Sequence, residues 1–153
     1  MKTRVFYTLL LFLSLTSCTK EKIVDTTVYV KTPTQLIGSW NWNKTHGGYA
    51  LVTYDPSSTG KSIKIELDSL STYRYFSNDS LKYESKFQIV KTKSIFNHKD
   101  SALMIIIDTY PMDFLKKWND FISHSYFSFQ TSDTLIFTDA AYDGFDHTYC
   151  RIK

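Results

Sequence analysis

Ile63-Lys64-Ile65-Glu66-Leu67 alternates apolar and charged residues at every step. Successive side chains of a strand point to opposite faces, so this period of two predicts a strand with one buried and one wetted face. The same pattern recurs on both sides of it. Downstream, Thr72 to Phe76 is aromatic and β-rich, Ser77-Asn78-Asp79-Ser80 is a turn, and Tyr83, Phe87 and Ile89 alternate with Lys82, Glu84, Lys86 and Gln88. Upstream, Trp40 and Trp42 alternate with Ser39, Asn41 and Asn43 until Gly47-Gly48 breaks the run, and a weaker segment from Tyr49 ends at Asp55-Pro56-Ser57-Ser58. Such short strands separated by turn residues are the pattern of an all-β domain.

Later in the chain, Ala102 to Ile107 is apolar at every position, which calls for cover on both faces. Phe114, Leu115, Trp118, Phe121 and Ile122 fall on one face of a 3.6-residue period, with Asp113, Lys116, Lys117, Asn119 and Asp120 between them. That spacing predicts an amphipathic helix over 112–122, with Pro111 at its start. Strands then resume with Phe127 and Phe129, Leu135 to Phe137, an Asp143-Gly144 turn and Thr148 to Ile152. About eight strands in a chain this short suggest a small antiparallel barrel, in which closure removes the exposed edges.

Composition fits. The 153 residues suit one domain, and Phe, Tyr and Trp make up 16%, a bias toward pleated, half-buried surfaces. The formal charge of +3 from 18 basic and 15 acidic residues lacks the basic excess of a nucleic-acid-binding protein, so no nucleic-acid partner is expected. A chain that is 42% hydrophobic is too apolar for disorder.

The N-terminus reads as a targeting segment. Lys2 and Arg4 precede the apolar run Val5 to Leu13, which is too short to span a bilayer as a helix. Leu15-Thr16-Ser17-Cys18 follows and resembles a bacterial lipobox. The resemblance implies cleavage of a signal peptide at 1–17, acylation of Cys18 (palmitate among the chains) and an anchor in the cell envelope, in the outer membrane. Loss of Lys2 and Arg4 reduces 18 basic groups to 16 against 15 acidic ones, so no broad electrostatic steering is expected. Thr19-Lys20-Glu21-Lys22 partly resembles the Lys-acid run of surface-displayed lipoproteins, which leaves both surface and periplasm-facing positions open. Residues 18–35 read as lipidated cysteine and tether, and 36–153 as the domain. With Cys18 acylated, Cys150 has no partner and is expected to be a small buried hydrophobe.

Chemical motifs are weak. Thr59-Gly60-Lys61-Ser62 matches the end of a phosphate-binding loop, but Asp55 stands where its first glycine belongs and a strand follows, so a turn is expected. Asp139, Asp143 and Asp146 lack calcium-loop spacing and read as a solvated hairpin. His46, His98, His124 and His147 form no zinc motif and are expected at the surface. Asp146 and His147 are adjacent, so on a strand their side chains diverge. No serine has the glycine flanks of a nucleophile elbow. The expectation is a protein that is not an enzyme, with no cofactor and no metal.

Gly38-Ser39-Trp40 on the first strand and Thr148-Tyr149-Cys150-Arg151 on the last resemble the Gly-x-Trp opening and Tyr-x-Arg close of lipocalin-like domains. With the lipobox, the chain resembles lipocalin-like bacterial lipoproteins over about residues 36–153. The resemblance implies an eight-stranded barrel in which Arg151 packs across Trp40 at the closed end. The helix at 112–122 departs from simple members of that family. Barrels of this size hold one small ligand or are filled by side chains. Ile63, Ile65, Leu67, Tyr83, Phe87, Phe127 and Phe129 are the expected cavity residues for a small apolar or amphipathic ligand. The alternative is a packed-core scaffold or inhibitor lipoprotein with no small-molecule ligand.

Overall fold

The computed structural model describes residues 28–96, 101–108 and 122–153. Its centre is a closed eight-stranded antiparallel barrel. The barrel strands are β2 (Gly38–Gly47), β4 (Ile63–Leu67), β5 (Thr72–Ser77), β6 (Ser80–Thr92), β7 (Ala102–Ile107), β8 (His124–Thr131), β9 (Thr134–Asp139) and β10 (Phe145–Arg151). Each pairs with the next, and β10 returns to β2 to close the ring. Two short strands lie off this path. β1 (Val28–Val30) extends the sheet on β6, pairing Val28 with Lys91 and Val30 with Ile89, and β3 (Val52–Tyr54) pairs with β2.

Local chemistry sets the turns. Asp68 Oδ1 accepts from the Leu70 and Thr72 N–H groups, each at 2.9 Å, and so folds the β4–β5 turn. The turn expected at 55–58 tightens into a single helical turn, α1 (Pro56–Thr59), because Asp55 and Ser58 form a reciprocal capping box and Pro56 opens it. Gly60 ends it at φ 65° in the left-handed region, and β4 follows, so the Thr59–Ser62 stretch is a helix stop leading into a strand. Between β9 and β10, Gly144 N–H donates to Ala141 O at 3.1 Å, which places the glycine at the end of the turn.

The alternation read from Ile63 holds. Ile63, Ile65 and Leu67 are buried, while Lys64 and Glu66 pair with each other at 2.9 Å on the outer face. Tyr73, Tyr75, Tyr83, Phe87 and Ile89 continue the inner face around β5 and β6, and Leu135, Phe137 and Tyr149 complete it on β9 and β10.

On β2 the alternation breaks. Lys44 pairs with Thr148 and Trp42 with Tyr149, so Asn43 is an extra residue and the strand bulges there. Asn43 and Lys44 both face out, and Thr45 takes the next inward place, fully buried.

On β7, Ile105 and Ile107 are buried inward and Met104 and Ile106 are half-buried on the other face. The helix expected at 112–122 lies outside the described residues except for Ile122, which is buried in the core cluster.

Candidate functional site: a polar row inside the barrel

Four adjacent strands carry inward polar side chains in an interior otherwise lined by aliphatic and aromatic residues. They are Thr45 on β2, His147 on β10, Asp139 on β9 and Ser125 on β8. The register makes them neighbours: His147 pairs with Thr45 and Ser125 with Asp139. Thr45 reaches the row through the bulge at Asn43. Asp139 reaches it because it continues the inward series Leu135, Phe137.

Hydrogen bonds run along the row. The Trp42 indole N–H donates to Thr45 Oγ1 at 2.9 Å, and Thr45 Oγ1 lies 2.9 Å from His147 Nδ1. His147 Nε2 is 3.3 Å from Asp139 Oδ1, and the Phe145 N–H donates to Asp139 Oδ2 at 3.1 Å. An indole nitrogen only donates, so Thr45 Oγ1 accepts from Trp42, and it holds a second hydrogen bond with Nδ1. His147 then donates from Nε2 to the carboxylate. A carboxylate only accepts, which assigns the Nε2 proton, and both ring nitrogens of His147 are thereby engaged within the row. The Asp–His–hydroxyl order matches the relay by which hydrolases activate an alcohol. Here, however, the hydroxyl is wholly buried and engaged by Trp42.

Ser125 ends the row. Its residue is 0% exposed, and its hydroxyl has no hydrogen-bond partner among the described residues. It alternates with Phe127 and stands opposite Ile105, both members of the core. Burying a hydroxyl without a partner is costly, so a group of this kind is a place to look for a ligand. The Asp139 side chain keeps 27% of its surface, so this end of the row touches solvent.

The expected cavity residues converge. Ile63, Ile65, Leu67, Tyr83, Phe87 and Phe127 are buried in one cluster, and Phe129 is half-buried against it. Their rings touch: Phe127 lies 6.1 Å from Phe129 and 6.3 Å from Phe137, and Phe129 lies 6.3 Å from Trp40.

At the other end of the β2–β10 pair, the Arg151 guanidinium lies 4.0 Å over the fully buried Trp40 ring. It donates to Ile37 O at 3.0 Å and to Gln35 O, and the Trp40 indole donates to Leu36 O at 3.0 Å. Gly38, at φ 139°, makes room for it, since a Cβ there would sit 2.6 Å from Arg151 Nη1.

Three expectations change. His147, expected at the surface, is 2% exposed because Thr45 and Asp139 satisfy both ring nitrogens. Asp139 and Asp146 do not share a solvated hairpin: the first turns inward and the second faces out, where it accepts from the Thr138 hydroxyl at 2.6 Å. Cys150, expected to be buried, is exposed, because Tyr149 and Arg151 take the inward places beside it. It lines an outer groove of about 420 Å³ with Lys44, His46 and Asp146. His46 and His124 are exposed, while His98 and Cys18 lie outside the described residues.

An exposed Cys150 has a measurable consequence. In a Cys18→Ser chain, a thiol reagent is expected to label one equivalent in the native protein at close to the rate seen after denaturation. Protection until unfolding would contradict the outward placement.

The row carried weak sequence signals. Its members are single polar residues inside aromatic runs, and the bulge that turns Thr45 inward has no local marker. Among known proteins, no family model, no curated protein and no solved structure matches this chain.

Proposed function

We propose that this is a lipid-anchored protein of the bacterial envelope whose lipocalin-like barrel takes a small apolar or amphipathic molecule into its interior. The anchor is Cys18, exposed by removal of residues 1–17, and the membrane is the outer membrane. The observation that carries the ligand reading is the Ser125 hydroxyl, which has no hydrogen-bond partner among the described residues and is buried at the end of a polar row. Ligand sites of this type combine an apolar lining with a few placed polar groups that fix orientation.

A second reading is favoured by the ring contacts that link Trp40, Phe129, Phe127, Phe137 and Tyr149. Side chains that fill the barrel in this way would suit a scaffold or inhibitor with no small ligand.

Two measurements test the proposal. Cells fed labelled palmitate are expected to label the wild-type chain in the membrane fraction and not a Cys18→Ala chain, and a labelled, membrane-bound variant would refute the anchor. Titration of the full chain with apolar fluorescent dyes is expected to saturate at one site and to be reversed by long-chain alcohols. Failure of the whole panel to saturate would favour the packed core.

A further inference from the structure

We infer that the polar row selects an uncharged, hydroxyl-bearing apolar ligand and rejects carboxylates such as fatty acids. This rests on the carrier reading and names its ligand class. The row holds a carboxylate, Asp139, whose oxygens already accept from His147 Nε2 and the Phe145 N–H. Both ring nitrogens of His147 are engaged within the row, so neither is left to receive a ligand carboxylate. A carboxylate brought to the fully buried Ser125 hydroxyl loses its own hydration and finds a single donor in return. Thr45 and His147 have their bonding capacity engaged by Trp42, by each other and by Asp139. Ser125 remains. Its hydroxyl can donate once and accept twice, which matches an alcohol or phenol that does both. Phe127 and Ile105 on either side supply apolar contact for the rest of the molecule. An uncharged head with an apolar body is therefore the complement of this place.

The test uses three probes of one shape, naphthalene, 2-naphthol and 2-naphthoate, titrated calorimetrically against the full chain in nanodiscs, with empty nanodiscs as the reference. Naphthol is expected to bind roughly tenfold or more tighter than naphthoate. Ser125→Ala is expected to weaken naphthol about fivefold, the size of one ordinary hydrogen bond, and to leave naphthalene unchanged. That variant removes a hydroxyl with no partner among the described residues, so its unfolding midpoint is expected not to fall. Equal binding of naphthol and naphthoate, or naphthol binding indifferent to Ser125→Ala, would overturn the selectivity while leaving the carrier reading standing. Failure of all three probes to bind would instead overturn the carrier reading itself.

Discussion

Trp40→Ala is expected to lower the free energy of unfolding by about 3–5 kcal/mol, the range for truncating a fully buried aromatic. Trp40 is 0% exposed and does three things at once. It fills the barrel between Phe129 and Arg151, donates its indole proton to Leu36 O, and offers its face to the guanidinium. Alanine would leave a cavity, an unpaired carbonyl and a cation without its ring. Domains are stable by only about 5–15 kcal/mol, so this loss removes a large share. Arg151→Lys should cost less but should not be neutral, because an ammonium cannot reproduce the fork that reaches Gln35 O and Ile37 O. Urea unfolding followed by circular dichroism measures both. A Trp40→Ala loss under about 1.5 kcal/mol would contradict full burial of the ring.

His147→Leu is expected to cost roughly 2–4 kcal/mol at neutral pH, although leucine is the more apolar residue. The change strips Thr45 of its imidazole partner and Asp139 of one donor, and a buried polar group that loses its partner costs more than its bond was worth. Thr45 is fully buried, so water does not replace the imidazole there, whereas the partly exposed Asp139 recovers some hydration. The two residues should therefore be coupled. Thr45→Val made in the His147→Leu chain should cost at least about 0.5 kcal/mol less than in the wild type. Additive effects would mean that Thr45 and His147 do not bond.

Period two revealed the barrel because most strands bury one face and wet the other. Ile63, Ile65, Leu67, Tyr83, Phe87 and Phe127 follow from alternation alone. What alternation does not reveal has specific causes. Val28–Val30 pairs with residues 89–91, a partner too far along the chain for any turn signal to announce. Cys150 reads as inward because it is a small apolar residue in the alternating run at the end of the chain. The expectation that Arg151 meets Trp40 already implied the reverse, since residues next to each other on a strand point apart. His147 defied composition: a histidine reads as a surface residue until its partners are known, and its partners come from other strands. One of them, Thr45, faces inward only because β2 gains a residue at Asn43. A bulge shifts the phase of everything after it, and no feature of Asn43-Lys44-Thr45 marks the shift.

The proposed ligand site is the interior beside Ser125, Asp139 and His147. It is tested most directly by nuclear magnetic resonance of the isotope-labelled chain during titration with 2-naphthol. Saturable shifts are expected in the amide signals of Ser125, Asp139, His147 and their inward neighbours Phe127 and Ile105, with those of Lys44, His46 and Cys150 on the outer groove unmoved. Shifts confined to the outer groove, or no saturable shift at all, would contradict it.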